Sequence, residues 1–390
     1  MKKIFLYLTL FTTPSFAINS QSYFKNTYEE ARKDFIQRGQ ALSQKYSGQI
    51  VLDKVNYQYA VNENFEINYL YISKKPSKNL VIIQSGTHGI EGHTGSGVQN
   101  FILDYIETKP ETTTNFLIIH GVNQYGFETN RRVNYNNVDL NRNFQSDTNE
   151  FQSTNSGYEQ VNYFLNPTKP IETGFFPKIG FYIDALKLIY KYSKDTLKRA
   201  ILKGQYQFEK GLYFGGHQYQ PEYFALNQIW DKYVPKYEKV LLIDIHTGYG
   251  KKGKLHLLAN SSHSKDEEDI KNIFKPQSID FGDDKEFYQV KGDLTSYFQT
   301  KYTSDNRHIY SLAFEFGTLD SQKLLGSIDS IYRMIAENQG HFNGYKDATD
   351  KNKISTLFSE MFYPKDFAWR DSVLDQSKKE IDKILSYFEE

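Results

Sequence analysis

The sequence predicts an α/β protein built on a mostly parallel or mixed sheet. Short apolar runs bounded by turn residues alternate with longer amphipathic segments, the order typical of strands and helices that follow one another along one chain. No internal repeat or low-complexity linker interrupts this order. With 390 residues the chain is long enough to bury a sizeable core; two domains would fit this length, but α/β proteins of this size often form one.

The N-terminus has the composition of an export signal. Lys2 and Lys3 precede an apolar run from Ile4 to Phe11, and Ser15-Phe16-Ala17 is a small-x-small cleavage site. The apolar run is too short to span a bilayer. We expect residues 1–17 to be removed and the protein to be periplasmic or secreted. The alternative is a short N-terminal helix that stays attached.

The first elements predicted after this segment are a helix, two strands and a second helix. Residues 22–46 have the apolar periodicity of an amphipathic helix, and residues 65–73 alternate as a strand. The apolar run Asn79–Ser85 is bounded by turn residues, which predicts a buried strand. It leads into the turn Gly86-Thr87-His88, and a helix is expected at about 95–106.

The rest of the chain continues the alternation of strands and helices. Further strands are predicted at 115–120, 240–245, 254–259 and 311–316. Helices are predicted at 178–203, 222–233, 265–274, 320–338 and 375–389. Residues 145–175 are polar and rich in turn residues, so we expect a long surface loop there.

Composition excludes several classes of function. Lys+Arg and Asp+Glu both number 47, so the net charge of zero does not indicate a nucleic acid or an anionic membrane as partner. The absence of Cys excludes disulfides, thiolate metal sites and Cys nucleophiles. No stretch after the signal is long and apolar enough for a transmembrane helix. The 31 Tyr and 29 Phe are expected mainly in the core and on the surface, with a minority lining a cleft.

Two histidines and two glutamates define a candidate metal site. His88, His246 and Glu315 each end or follow a buried strand, the edge where open α/β sheets bind ligands. The motif His88-Gly-Ile-Glu91 places an imidazole and a carboxylate within reach of one cation. Two His and one Glu suit zinc, with one position left for water. A lone His is more often an ordinary hydrogen-bonded residue, so the prediction of one Zn²⁺ at His88, Glu91 and His246 depends on the three together.

The motif Asp139-Leu-Asn-Arg142 offers groups that support the ligands and the substrate. Asp139 is the candidate acceptor for the second ring nitrogen of His88, because ligating histidines usually donate that N–H. Asn141 and Arg142 can hold a substrate carboxylate, since a guanidinium makes two parallel hydrogen bonds to it. The alternatives are a turn-capping role for Asp139 and a structural ion pair for Arg142.

Glu315 and one of two neighbouring arginines are the candidate catalytic residues. A carboxylate at the end of an apolar strand is costly to bury without a task or a partner. We predict that Glu315 is the general base, which takes a proton from water and passes it to the leaving amine. An ion pair or a helix cap is the alternative. Arg131 or Arg132 is expected to polarise the scissile carbonyl; we favour Arg132, although spacing alone does not separate them.

Three other histidines have no partner motif. His93 lies close in sequence to the predicted ligands, His120 ends a strand, and His217 lies in the Gly-rich stretch Tyr213–Tyr219. We expect all three on the surface or on the wall of the pocket, with that Gly-rich loop at the edge of the cleft.

Taken together, these segments resemble the zinc carboxypeptidase superfamily, in particular a bacterial branch known mainly as a domain of unknown function. The matching segments are Thr87-His88-Gly-Ile-Glu91, Asn123-Gln-Tyr-Gly126, Val138-Asp-Leu-Asn-Arg-Asn-Phe144, Asp244-Ile-His246 and Glu315. The resemblance covers roughly residues 80–320 and implies one α/β/α domain around a mixed sheet. It implies roles for six residues: zinc ligands at His88, Glu91 and His246, carboxylate binding at Asn141 and Arg142, and the base at Glu315.

The sequence as a whole predicts four segments: a signal peptide at 1–17, an N-terminal helix and strands at 18–75, a catalytic domain at 76–345, and a C-terminal helical segment at 346–390 packed on the same domain. The resemblance adds an insertion and one more candidate site residue. The stretch from Arg142 to His246 is longer than a plain carboxypeptidase needs, so an insertion is expected at about 145–238. A Tyr usually assists substrate binding in these enzymes, and Tyr288 is the candidate.

Three functions are compatible with these features. The leading one is an exported zinc hydrolase that cleaves an amide next to a free carboxylate. Its simplest form is a metallocarboxypeptidase that acts on peptides, with cell-wall peptides as one candidate class. The context Glu315-Phe-Gly317 and the turn at His88 also resemble the aspartoacylase and succinylglutamate desuccinylase branch, so N-acyl amino acids are the alternative substrate. An inactive carboxylate-binding protein is the third, disfavoured because the ligands and the base are all present.

Overall fold

A computed structural model describes residues 20–259, 264–281 and 290–389 of the chain. The predicted signal peptide at 1–17 and Tyr288 lie outside the described residues. Within those ranges, no helix is long and apolar enough to cross a membrane.

The centre of the molecule is a mixed sheet, which has eight strands in the described residues. They are β1 (Ile50–Gln58), β2 (Asn64–Ile72), β3 (Asn79–Ser85), β4 (Asn115–His120), β5 (Lys239–Gly248), β6 (Leu255–Ala259), β7 (Ile279–Phe281) and β8 (His308–Gly317). The spatial order is β1-β2-β4-β3-β5-β8-β6-β7. The four central strands β4, β3, β5 and β8 run parallel, while β2 and β6 join them antiparallel.

Helices cover both faces of the sheet. They are α1 (Tyr28–Lys45), α2 (Gly92–Glu107), α3 (Gln124–Thr129), α4 (Ser156–Leu165), α5 (Phe175–Tyr192), α6 (Lys194–Leu202), α7 (Pro221–Tyr233), α8 (Ser264–Phe274), α9 (Leu294–Tyr302), α10 (Leu324–Asn343), α11 (Ala348–Phe362) and α12 (Phe367–Glu389). Residues of α1, α2, α8 and α12 share one core with the sheet, and residues of α7 and α9 share the other. The predicted α/β fold with a mixed sheet is therefore confirmed.

Strand β3 shows why the central strands are continuous apolar runs. Val81 and Ile83 pack into the core beneath α2, and Leu80 and Ile82 pack into the core beneath α7. A strand buried on both faces has no polar side to alternate with. Its position in the middle of the sheet brings its carboxyl end, and the residues that follow it, to the centre of the molecule.

A third apolar cluster lies beside the residue that follows the turn after β3. It joins Ile90 to side chains from α4, α5, α10 and α11, including Tyr158, Leu188, Met334 and Phe358. Because Ile90 lies between His88 and Glu91 in sequence, this cluster places a set of helices next to the candidate metal ligands.

Two predictions about this region are wrong. Residues 145–175 are not simply a surface loop, because they contain α4, which buries Tyr158, Val161 and Leu165. The side chain of Asn155 caps this helix by accepting a hydrogen bond from the Tyr158 amide. The helix predicted at 178–203 is divided into α5 and α6 at Ser193, whose φ is 66°. The Ser193 hydroxyl accepts from the Thr196 amide, so a new N-cap replaces continuation of the helix.

Candidate metal centre

The backbone brings the candidate residues to one edge of the sheet. A short 3-10 turn, Gly89–Glu91, follows β3; His88 directly precedes it and Glu91 is its last residue. His246 lies near the end of β5 and is directly opposite Glu315 on β8 in the ladder. The turn packs so tightly on α3 that a Cβ at Gly89 would lie 2.1 Å from the carbonyl carbon of Gly126. Glycine is therefore required for the turn to reach this position.

His88, Glu91 and His246 point one set of donor atoms at a common point. The Nδ1 atoms of His88 and His246 are 3.1 Å apart. Each Nδ1 lies 2.9 Å from an oxygen of Glu91, Oε1 for His88 and Oε2 for His246. Ligands of a tetrahedral zinc are about 3.3 Å apart, from bonds of about 2.0–2.1 Å. Among the described residues this is the one buried group of three such side chains whose donor atoms lie within 4.8 Å of one another.

The other nitrogen of each histidine faces a buried aspartate. His88 Nε2 lies 3.0 Å from Asp139 Oδ1, and His246 Nε2 lies 2.8 Å from Asp244 Oδ2. Thr87 holds Asp244 in turn, donating from Oγ1 to Oδ1 at 2.9 Å. A histidine that donates Nε2–H to a carboxylate leaves Nδ1 unprotonated and able to bind a metal. The two-nitrogen, one-carboxylate donor set and its supports therefore fit a zinc ion.

The charges at the site are strongly interdependent. Burial alone would raise the pKa of Glu91, but the charges of His88 and His246 outweigh it and hold that pKa below its ordinary value. Burial would likewise lower the pKa of His246, but the Asp244 carboxylate raises it well above the usual range. Glu91 is thus held as a carboxylate, and His246 as a group that binds positive charge. A metal ion can take the place of that positive charge, since metal and proton compete for the same donor atoms.

Arg131 and Arg132, which the sequence could not distinguish, point in different directions in the structure. Arg132 donates to Glu91 Oε1 at 3.0 Å and to Asp139 Oδ2 at 3.2 Å. Arg131 points away and donates to Glu337 on α10 at 2.8 Å. Burial would lower the pKa of Arg132, but Asp139 and Glu91 raise it further above its ordinary value, so the side chain stays a cation at the site.

Glu315 is buried beside the ligands but is not held by a cation. Its Oε1 accepts from the Tyr249 backbone amide at 2.8 Å. Burial, followed by the charge of Glu91, raises the pKa of Glu315 to about 8, although His246 and Arg132 act in the opposite direction. This carboxylate is thus placed to exchange protons near the candidate ligands.

Asn141 and Arg142 lie at the same cavity but already have partners. Arg142 donates from Nε and Nη2 to the Leu202 carbonyl at 3.1 and 2.7 Å, and from Nη1 to the Asn141 carbonyl at 2.8 Å. These bonds use three of its five N–H groups. Asn141 Oδ1 accepts from the Leu294 amide at 3.0 Å, which leaves its amino group without a hydrogen bond among the described residues.

A cavity of about 320 Å³ joins these side chains to the helices above them. One end is polar and contains His88, His246, Arg132, Arg142 and Glu315. The other end is lined largely by apolar side chains of α4, α5, α6 and α10, namely Val161, Phe164, Leu188, Leu197, Ile201, Ile328, Ile331 and Met334. This volume is within the range that binds small organic molecules.

Two residues at the site were not assigned a role from the sequence. Asp244 supports His246, and its signal was the spacing, since alternate residues of a strand point to the same face. The ring of Tyr213 lies 5.6 Å from the Arg132 guanidinium and 5.5 Å from that of Arg142, and it lines the cavity. Nothing in the sequence indicated that the loop carrying Tyr213 returns between these two arginines.

The prediction for the remaining histidines is wrong for two of the three. His120 is fully buried, stacks on Phe35 and contacts Ser96 Oγ at 2.9 Å. His93 is also buried, and its Nε2 contacts Asn130 Oδ1 at 2.8 Å. His217 is exposed, as expected. Strand ends and helix starts near the sheet are covered by α1 and α3, which sequence spacing does not reveal.

The chain belongs to the family described as "Protein of unknown function (DUF2817)", whose profile matches residues 24–376. No curated protein matches the sequence.

The structure is similar to solved structures from both branches named in the sequence analysis. Bovine thrombin-activatable fibrinolysis inhibitor, in complex with tick carboxypeptidase inhibitor, matches at 14% identity and a TM-score of 0.48, over 82% of this chain and 97% of that one. A metallo-carboxypeptidase from Burkholderia cenocepacia matches at 12% identity and a TM-score of 0.41, over 91% of this chain and 71% of that one. A succinylglutamate desuccinylase from Silicibacter sp. TM1040 matches at 11% identity and a TM-score of 0.37, over 75% of this chain and 67% of that one.

Proposed function

We propose that the protein is a zinc-dependent hydrolase that cleaves an amide bond next to a free carboxylate, and that it acts as a metallocarboxypeptidase on peptides. The observation that carries the proposal is the orientation of two histidines: Nδ1 of each faces Glu91, and Nε2 of each faces a buried aspartate. Bound zinc would polarise a carbonyl and lower the pKa of a water molecule. Export is part of the proposal and rests on the N-terminal sequence alone.

The protein's own residues would perform four tasks. Glu315 accepts a proton from the attacking water and delivers it to the leaving amine as the C–N bond breaks. Arg132 donates hydrogen bonds to the carbonyl oxygen, where negative charge develops. Asn141 and the remaining donors of Arg142 bind the free carboxylate. Tyr288 stays the sequence-based candidate for the assisting tyrosine.

One N–H group of Arg132 would lose its acceptor when a metal binds. Its Nη2 lies 2.7 Å from His88 Nε2. A histidine that binds metal through Nδ1 carries its hydrogen on Nε2 and donates it to Asp139, so Arg132 Nη2 then has no acceptor at that ring. That N–H can turn to a substrate oxygen, which supports Arg132 as the residue that polarises the carbonyl.

The apolar end of the cavity supports a preference within this reaction class. A succinyl group carries a second carboxylate that needs a cation. Among the described residues, the two lysines that line the cavity have other contacts: Lys194 donates to the Gln322 carbonyl at 3.0 Å, and Lys198 lies over the Tyr249 ring at 5.1 Å. We therefore expect peptides with large apolar side chains to be better substrates than N-succinyl amino acids, which remain the alternative.

The first test is metal content and turnover of the purified protein. We expect about one zinc per chain, lost in His246→Ala and Glu91→Ala and retained in Glu315→Gln, with turnover in Glu315→Gln reduced by about 10²–10⁴-fold. Glu238→Gln, at an exposed position, serves as the matched control and should match the wild type. Wild-type protein that binds no zinc after supplementation, or full turnover in Glu315→Gln, would contradict the proposal.

A further inference from the structure

Helix α5 carries an apolar stripe on its outer surface. The stripe, called here the α5 stripe, consists of Phe175, Phe176, Ile179, Ile183, Leu186 and Tyr190. These six side chains are 40–95% exposed. They are six of the 14 large apolar residues that are exposed in the described part of the protein. A concentration of this kind on one helix indicates a surface that binds something.

The positions of the stripe follow the geometry of a helix. At about 100° per residue, all six lie within about 100° of the helix circumference. Ala185 and Leu188 are buried and lie on the opposite side, where Phe181 stacks on Phe164 of α4 at 4.9 Å. Helix α5 is therefore fixed to the protein by one apolar face and presents a second one outward.

The segment around the stripe is strongly cationic, although the whole chain has zero net charge. Residues 174–203 contain seven basic side chains and two acidic ones, a net charge of +5: Lys178, Lys187, Lys191, Lys194, Lys198, Arg199 and Lys203 against Asp184 and Asp195. Part of this charge is used elsewhere, because Lys178 pairs with Asp329 of α10 at 3.2 Å, and Lys194 and Lys198 line the cavity. On the helical projection Lys187 lies about 20° and Lys191 about 60° beyond the edge of the stripe. Lys187 Nζ also pairs with Asp184 Oδ1 at 2.9 Å, an exposed ion pair that headgroup phosphates can replace. An apolar stripe bordered by lysines is the pattern of a helix that lies in the plane of a membrane interface.

We propose that the α5 stripe docks the protein on the surface of a bilayer that contains anionic phospholipids. The aromatic and aliphatic side chains enter the boundary between headgroups and acyl chains, while the lysines contact the phosphates. Four charged residues within α5, one of them Asp184, prevent the helix from crossing the bilayer. This docking does not depend on the metal site or on the proposed hydrolase activity.

A second copy of the chain is a poorer occupant for the same surface. A two-fold dimer would place the stripe of one copy against that of the other. It would also bring two segments of net charge +5 together, where the like charges repel. Anionic headgroups complement both the apolar and the cationic part of the surface, which is why we commit to them.

The experiment is co-flotation of the purified protein with phospholipid vesicles. We expect binding to vesicles of phosphatidylcholine with 30% phosphatidylglycerol, weaker binding to phosphatidylcholine alone, and loss of the anionic preference at high salt. Phe175→Ser with Phe176→Ser should weaken binding at least tenfold, because two aromatic groups no longer enter the interface. Lys187→Gln with Lys191→Gln should weaken binding to anionic vesicles roughly tenfold and leave binding to neutral ones unchanged.

Matched variants control for loss of surface phenylalanine and lysine. Phe224→Ser with Phe367→Ser removes two exposed phenylalanines elsewhere, and Lys351→Gln with Lys353→Gln removes two exposed lysines of α11. Both should bind vesicles like the wild type. Equal binding to neutral and anionic vesicles, binding unaffected by the Phe175 and Phe176 changes, or a dimer that those changes convert to monomer would each overturn the proposal.

Discussion

Asp139 and Asp244 differ from the other acidic residues because each accepts from the outward nitrogen of a candidate ligand. Asp139→Asn and Asp244→Asn should each lower zinc affinity by about 10–100-fold, since an amide is a weaker acceptor and orients the imidazole less firmly. Competition with a zinc-binding dye measures the affinity. Asp53→Asn, at a half-exposed position, should leave it unchanged. Equal affinity in all three variants would show that the aspartates do not support the ligands.

Glu222 is a buried acid outside the site, and it gives a prediction about stability. Burial raises its pKa from 4.5 to about 7, although hydrogen bonds from Tyr59 and Asn134 act against this. The folded state therefore favours the protonated form. Its contribution is complete below pH 4.5 and is lost as pH rises through 7.

Glu222→Gln should therefore gain stability relative to the wild type as pH rises from 4.5 to 8, by about 3 kcal/mol in total. Urea unfolding of both proteins at several pH values gives the difference. Glu111→Gln, an exposed glutamate, should follow the wild type at every pH. A constant difference between Glu222→Gln and the wild type would mean that this carboxyl does not titrate differently on unfolding.

At this scale the sequence indicated the three candidate ligands as a group and their supports only in part. His88, Glu91 and His246 were predicted because each belongs to a short motif at a strand end. Asp139 faces His88 as predicted. The position of Tyr213 between two arginines could not be predicted, because it depends on how a loop some 70 residues further on packs against the Asp139–Arg142 turn.

Among the elements, the 3-10 turn Gly89–Glu91 packs against its neighbour with no room for a side chain at Gly89. A Cβ at Gly89 would overlap the Gly126 backbone at 2.1 Å, and backbone has little freedom to move aside. Gly89→Ala should lower the free energy of unfolding by about 1–3 kcal/mol and weaken zinc binding, because His88 precedes the turn and Glu91 ends it.

Gly180→Ala is the matched control, since a Cβ there meets nothing within 4 Å and the residue lies inside α5. It should stabilise the protein by about 0.5–1 kcal/mol. Calorimetry with and without zinc measures both variants. If Gly89→Ala behaved like Gly180→Ala, the tight contact with α3 would be of no consequence for the site.

The elements that sequence predicted best are those buried on both faces. β3 and β4 have the predicted bounds, because a buried run of branched apolar residues ends abruptly at turn residues. α9 was not predicted, and β1 and α11 had no predicted bounds of their own within the segments 18–75 and 346–390, since the polar residues of all three outnumber the apolar ones that face the core. Tertiary contacts, rather than local periodicity, determine such elements.

For the whole molecule, α12 closes one face of the sheet. It buries Trp369, Val373, Leu374, Ile381 and Ile384 in the same core as α2. At about 1.5–3 kcal/mol for each buried side chain, their loss equals or exceeds the whole stability of a typical domain. A chain that ends before Phe367 should therefore be insoluble or unfold without cooperativity. A cooperative transition and zinc binding in that truncated chain would show that α12 is peripheral.

The global fold was predictable because strands and helices alternate, but the arrangement above the site was not. Residues 145–175 are polar enough to suggest a loop, and 178–203 were predicted only as one helix, yet α4 and α5 bury residues against α10 and α11 from the far end of the chain. Contacts over such a separation leave no local pattern in the sequence. The apolar end of the cavity, which bears on substrate choice, was therefore not predictable.

The pairing of His246 with Glu315 across β5 and β8 has an evolutionary consequence. The two residues are held by neighbouring strands in the middle of the sheet, whereas α4, α5 and α6 surround the cavity from a separate cluster. Mutations in these helices can accumulate without moving the two residues relative to each other. Selection can thus retune what enters the cavity while the two facing side chains are inherited unchanged.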